Sequence, residues 1–244
     1  MVRAPETIAE LPTVVNNTKA LAVWVEPNTS NLPSFKIKVL NVSVKPVMAY
    51  AFETSTGGQR HLSGINRNLN NTVLIEPGQT IERVIRYPLK PVAASTGETP
   101  RAESDLVLTI PSTMFSDGTY EGDPFWSARF RAIQIGQKIQ FHHLQNQLDS
   151  KYDSIDAFAA AISDYKFYMD EAVFRDFISE FPGLTERQVA DLRECVEAAA
   201  IETQKAFFTV FSAKRVEFTT NPAGLQAWTK AESGQCQKLL DALP

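Results

Sequence analysis

Cysteine and histidine are scarce in this chain, with two Cys and three His in 244 residues. Cys195 and Cys236 lie far apart and match none of the short spacings of a zinc site. A disulfide framework is therefore excluded. A single Cys195–Cys236 bridge stays open beside the alternative of two buried thiols, and it would require an oxidising compartment. His142 and His143 are neighbours, so they cannot share one helical ligand face, and no H-E-x-x-H pattern occurs. Basic charge is also short: 24 Lys/Arg stand against 28 Asp/Glu, for a net charge of −4. Eleven Lys/Arg face nine Asp/Glu before Asp117, and thirteen face nineteen from Asp117 onward. Neither half offers the clustered cationic face that phosphate binding needs, so nucleic acid is not an expected partner. No run approaches the roughly 20 apolar residues of a membrane span. Met1-Val2-Arg3-Ala4-Pro5-Glu6 has no apolar stretch of the signal-peptide kind. No G-x-S-x-G elbow and no glycine-rich phosphate loop appears, so the expectation leans away from an enzyme.

What is present is enough to fold. Apolar residues make up 43% and charged residues 21%, ordinary values for a chain with a real core. The first half has a strand period. Phe35, Ile37 and Val39 alternate with Lys36 and Lys38, Val47 to Phe52 follows Pro46, Ile81 to Ile85 alternates again, and Leu106 to Ile110 opens a last strand region. Short strands separated by Pro, Gly and Asn clusters predict an antiparallel sandwich. Two polar stretches, Thr54–Thr72 and Pro88–Ser104, read as long loops.

The second half changes to a helical period. Asp123-Pro124 is a cap followed by a first-turn proline, and Trp126, Phe130, Phe141, Leu144 and Leu148 recur behind it. Further helices are expected from about Ser154, with Ile155, Phe158, Ile162, Tyr165 and Met169 on one face, and over Ala172 to Phe181. Thr185 and Gln188 make a capping-box pattern, and Asn221-Pro222 repeats the cap-then-proline start. The fold class is thus α+β. A β-sandwich module over 1–122 precedes a bundle of four to five helices over 123–244.

Several residues are candidates for chemistry. Asp117, Glu121 and Asp123 could hold calcium through oxygen ligands. The alternative is a hairpin turn at Asp117-Gly118 feeding a helix cap at Asp123, which is the simpler reading and needs no cofactor. Arg60, His61 and Arg67 fall in the Thr54–Thr72 stretch and could form an anion pocket, or simply a solvated loop. Arg129 and Arg131 lie near the acidic stretch, where a ligand site at the junction of the two halves would use them. Four Asn-x-Ser/Thr matches, at Asn16, Asn28, Asn41 and Asn70, fit the glycosylation pattern, and Asn is equally expected at turns. The stripe behind Thr185 reads close to a heptad, which a bundle within the chain or pairing between chains would both explain. The oligomeric state stays open.

Two segments carry a resemblance. Asn41-Val42-Ser43-Val44-Lys45-Pro46-Val47-Met48-Ala49-Tyr50 is similar to a segment of β-sandwich modules in uncharacterised bacterial proteins, many of them exported and many from soil acidobacteria. Phe115-Ser116-Asp117-Gly118-Thr119-Tyr120-Glu121-Gly122-Asp123 resembles the segment that ends that module. The resemblance covers roughly residues 20–135. It implies an immunoglobulin-like sandwich and an extracytoplasmic location, and it brings no functional residues with it. The combined expectation is a non-enzymatic interaction module of the bacterial envelope with a protein partner. The alternative is a ligand- or calcium-binding protein.

Overall fold

The computed structural model describes residues 10–28, 34–68, 72–86, 105–163 and 167–243. Among these residues nine strands are followed by five helices, and the α+β expectation holds. The chain forms two compact units, whose main boundary falls at Ser127/Ala128.

The first unit contains two sheets. One has the order β2 (Leu21–Pro27), β3 (Ser34–Asn41), β6 (Thr80–Arg86). Strand β3 is central because its alternation is cleanest. Phe35, Ile37 and Val39 are fully buried, while Lys36 and Lys38 point outward into a ladder with Glu26 and Glu82. Lys38 Nζ lies 2.9 Å from Glu26 and 3.5 Å from Glu82. Such exposed cross-strand pairs contribute modestly and mainly fix register.

The other sheet is built around β4 (Val47–Thr56). On one side β5 (Gln59–Arg67) pairs along its length. On the other, β7 (Leu106–Ile110) pairs with Glu53–Thr56, and β8 (Ser112–Phe115) pairs with the Val47 end. Pro111 separates β7 from β8 because it has no N–H for a ladder. β9 (Tyr120–Gly122) then pairs with β8, and β1 (Thr13–Asn16) pairs with β7.

Two expectations are corrected here. The sandwich is not wholly antiparallel, because β1 runs parallel to β7. The stretch Thr54–Thr72 is not a long loop. Thr56 pairs with Gln59 across a two-residue turn, and Gly57 and Gly58 take φ of 56° and 80°. That left-handed pair is what a tight hairpin turn requires. Stretch Pro88–Ser104 lies outside the described residues.

One apolar cluster draws on both sheets: Phe35, Ile37, Val39 and Ile85 from one, and Val47, Tyr50, Leu108 and Ile110 from the other. The two sheets therefore bury their faces against each other, at about 1.5–3 kcal/mol per large side chain. Tyr50 is buried with its hydroxyl accepting from Asn66 Nδ2 at 2.6 Å. Burial pushes the phenol up to about 12. Asn41, wholly buried, donates to the carbonyls of Lys45 and Ile75 and accepts from Ser43 N–H and hydroxyl. It bolts β3 to the Val47 corner.

The second unit is helical. α1 (Pro124–Asp149) crosses from the first unit into it. α2 (Ile155–Ser163), α3 (Glu171–Ser179), α4 (Glu186–Thr220) and α5 (Pro222–Asp241) follow. The expected caps are all in place. Asp123 accepts from Phe125 N–H at 2.8 Å, Thr185 and Gln188 close a capping box, and Asn221 caps α5 with Pro222 in its first turn. Of the face expected for the second helix, Phe158 and Ile162 are buried. Met169 lies beyond the helix, and Tyr165 falls outside the described residues. Phe158, Phe211, Phe218 and Trp228 form an aromatic centre, with Phe158 and Phe211 edge-to-face at 5.1 Å.

Candidate functional site

The acidic stretch is committed to the fold. Asp117 accepts from the Thr119 N–H and hydroxyl and pairs with Lys45 Nζ at 2.7 Å. Lys45 first, then Thr119, hold its carboxyl well below the usual range. Glu121 turns elsewhere and accepts from the N–H groups of Lys19 and Ala20 at 3.0 and 2.9 Å. Asp123 caps α1. Three carboxylates with three separate sets of partners do not form a cation site. Among the described residues no group of three or more His, Cys, Asp and Glu is placed to hold a metal. The calcium reading of Asp117, Glu121 and Asp123 is thereby corrected to the turn-and-cap reading.

Arg60, His61 and Arg67 all lie on β5. An extended strand advances about 3.3 Å per residue, so Arg60 and Arg67 sit roughly 23 Å apart, too far to share one anion. Arg60 instead pairs with Glu53 at 2.7 Å and lies over the Trp126 ring, 6.0 Å from its centroid. Ser112 and Ser127 share a hydroxyl hydrogen bond of 2.5 Å. These contacts fasten the first turn of α1 to the sheet that contains β5 and β8.

Cys195 and Cys236 are not joined by a disulfide, which corrects that alternative to two thiols. Rings of α4 and α5 meet across the Asn221 turn, Phe218 to Trp228 at 5.4 Å and Phe207 to Trp228 at 5.7 Å, so α5 doubles back along α4. At about 1.5 Å per residue, Cys236 lies roughly 22 Å from that turn and Cys195 roughly 39 Å. The remaining ~17 Å far exceeds the Cα separation a disulfide spans. Cys236 packs in the aromatic cluster, and burial pushes its thiol up to about 11. Cys195 donates weakly to the Arg129 carbonyl at 3.8 Å, which sets the Arg129 backbone against α4.

The glycosylation matches are structural at two positions. Asn41 is buried as described, and Asn16 donates to Leu21 O while accepting from Thr18 N–H and hydroxyl. The Asn28 and Asn70 matches extend outside the described residues.

One described cavity lies in the helical unit. It is a groove of about 400 Å³ between α1 and α3. Its floor is apolar, made by Ile135 and Ile139 of α1 with Val173 and Phe177 of α3. Arg131, Lys138 and His142 stand along the α1 wall, and Asp176 and Glu180 along the α3 wall. The helix periods explain the arrangement. Positions 131, 135, 138, 139 and 142 fall on one face of α1, and 173, 176, 177 and 180 on one face of α3.

Both walls are anchored on α4. On the α1 side Gly136 permits backbone contact: a Cβ there would stand 2.2 Å from Val196 O and 2.9 Å from Ala199 Cβ. On the α3 side Arg193 of α4 grips Glu171 with two hydrogen bonds of 2.6 and 2.7 Å and lies 4.3 Å over the Phe174 ring. Asp170 caps α3 by accepting from Ala172 N–H. Phe177 is buried and packs on Phe174 and Phe181, whereas Val173 is 49% exposed.

Of the sequence candidates, only Arg131 belongs to this groove. Lys138, His142, Asp176 and Glu180 were missed. Their helical spacing was available, but no sequence signal says which helix faces are left uncovered. Among the described residues no helix is long and apolar enough to cross a membrane. Searches of protein-family models, of curated proteins and of solved structures give no match to this chain.

Proposed function

We propose that this protein is a non-catalytic binding module of the bacterial envelope, with the groove between α1 and α3 as its recognition site. The observation that carries the reading is the make-up of that groove. An apolar floor lies between a cationic wall and an acidic wall, in a volume within the roughly 300–1,000 Å³ of typical binding pockets. Opposed charges at a rim give orientation and selectivity, and an apolar floor gives affinity. Anchoring both walls on α4 suits a preformed site, which lowers the ordering cost of association.

The two-sheet unit is read as an immunoglobulin-like platform. Support comes from the two sheets closing on one core and from the resemblance at 41–50 and 115–123. The same resemblance supports the envelope setting.

The test is capture of partners from the native envelope fraction by the wild-type chain and by Val173→Glu. Val173 is half exposed, so the added carboxylate tests the groove floor without emptying the core. Capture that vanishes with Val173→Glu supports the reading. Capture that persists unchanged, or a partner confined to the cytosol, refutes it.

A further inference from the structure

We infer that the outer face of the three-stranded sheet binds a neutral polysaccharide, with one sugar ring stacked on Trp24 and its hydroxyls held by Glu26, Lys38 and Glu82. This site lies on the first unit, goes beyond the groove reading, and is tested separately from it.

Strand register builds the face. Val23 and Val25 pack against the core, so Trp24 between them points outward, and it is 38% exposed. The chain has three tryptophans, and the other two, Trp126 and Trp228, are buried. Trp24 pairs with Lys38 and Lys38 with Glu82, while Glu26 pairs with Lys36 and Lys36 with Val84. Residues two apart on a strand share a face, so these six side chains form two adjacent rows. Each row spans two strand spacings, ~9.5 Å, and the rows lie ~7 Å apart. Arg86 stands one row further along β6 and adds a donor at the end of the face.

The chemistry of the rows selects the ligand. Their charges cancel, because Lys36 and Lys38 stand against Glu26 and Glu82. Lys38 Nζ lies 2.9 Å from Glu26 and 3.5 Å from Glu82, and Lys36 Nζ lies 4.0 Å from Glu82. A nucleic acid or an anionic membrane surface needs a cationic excess. The core of a protein interface is depleted in charge, and here the charges surround the aromatic ring. A neutral polyol fits, because each hydroxyl both donates and accepts. A carboxylate offers about four acceptor sites and an ammonium three donors, so the pairs within the ladder leave bonding capacity for hydroxyls. The indole supplies a broad apolar surface for the C–H face of a sugar ring. The ladder is also set before a ligand arrives. The Lys38 hydrogen bond first, and a Trp24 side-chain hydrogen bond as well, hold the Glu26 carboxyl below its ordinary range. Such presetting lowers the ordering cost of binding.

The test titrates the full chain with cellohexaose and with chitohexaose, by calorimetry and by tryptophan fluorescence. Both are neutral, β-linked chains whose equatorial hydroxyls leave the ring faces to C–H groups. Hexagalacturonate is the charged comparison. At least one neutral chain is expected to bind, with an affinity that changes less than about twofold on going to 0.5 M salt. Trp24→Ala should weaken it about tenfold, and Trp24→Phe, which keeps a smaller ring, by less. Glu82→Ala should weaken it severalfold, and thermal melts check that each variant is folded. No binding of either neutral chain at millimolar concentration, binding of hexagalacturonate alone, or an affinity unchanged in folded Trp24→Ala overturns the inference. If Trp24→Ala does not fold, an affinity unchanged in both Trp24→Phe and Glu82→Ala overturns it instead.

Discussion

A close contact between helices allows one substitution, made at two positions, to give effects of opposite sign. Gly136 of α1 lies against α4, where a Cβ would meet Val196 O at 2.2 Å and Ala200 N at 3.1 Å. Ordinary C···O contacts lie near 3.3–3.6 Å, so Gly136→Ala requires the helices to part by about 1 Å. Overpacking of a fitted interface costs about 1–3 kcal/mol. A backbone carbonyl cannot rotate away as a side chain would, which places this case near the upper end. Alanine's helix propensity returns about 1 kcal/mol. The net loss is about 2 kcal/mol, or roughly 4–8 °C in Tm for a chain of this size. Gly234 of α5 is the control. Nothing lies within 4 Å of its Cβ position, so Gly234→Ala keeps the propensity gain alone and should raise Tm by roughly 2–4 °C. Thermal melts followed at 222 nm, where the helices dominate, measure both. A Gly136→Ala melt at or above that of Gly234→Ala would refute the contact between α1 and α4 that fixes one wall of the groove.

Other outcomes follow from the same geometry. Asp117 has a folded pKa below its unfolded value, so its contribution is present above the ordinary carboxylate pKa of about 4 and is lost as pH falls through the folded value. Asp117→Asn should therefore flatten the acid limb of a Tm–pH profile below about pH 4, and an unchanged limb would show that Lys45 does not hold the carboxylate. Asn41→Ala removes two donated bonds to the Lys45 and Ile75 carbonyls, which keep the Ser43 hydroxyl and the Val47 N–H as donors, and takes the acceptor from the Ser43 N–H, at a cost of about 2 kcal/mol. A urea midpoint shifted by less than a third of that, at constant m, would contradict the buried network. Thiol titration with Ellman's reagent at pH 8 should label Cys195 before Cys236 in the native chain and two thiols per chain in guanidinium. Equal native rates would contradict the burial of Cys236, and no thiols would contradict the absence of a disulfide.

The joints of this fold were readable in the sequence because each is local chemistry. Asp117-Gly118, Asp123-Pro124, Thr185 with Gln188, and Asn221-Pro222 all act within four residues of themselves, and all four form as expected. Strand β5 was missed because Gln59, Arg60 and His61 look like a solvated loop. Pairing with β4 overrides their polarity, and the Gly57-Gly58 turn was the sign overlooked. Strand β1 was missed because its partner is β7, far along the chain, so no short-range pattern announces it. The acidic stretch attracted a cation reading because residue types alone do not show where carboxylates point. Glu121 turns toward Lys19 and Ala20, a hundred residues earlier. The groove was hidden for a related reason. Arg131 drew notice for its charge, but its neighbours become neighbours only when α3 folds onto α4 through Arg193.

The parallel pairing of β1 with β7 has a consequence for how the chain is made. A strand near residue 14 must wait for one near residue 108, and contacts of such sequence separation form late and slowly. During synthesis at roughly 5–20 residues per second, several seconds pass in which β1 has left the ribosome and its partner does not yet exist. Strand β4 meets β5 at once through a two-residue turn, but its other edge also waits for β7 and β8. For that interval the nascent sheet presents Val47–Thr56 with one side unsatisfied, a template for pairing with foreign strands. Translation speed across residues 60–105 and the supply of holdase chaperones should therefore govern the soluble yield of this protein more strongly than the stability of its finished core.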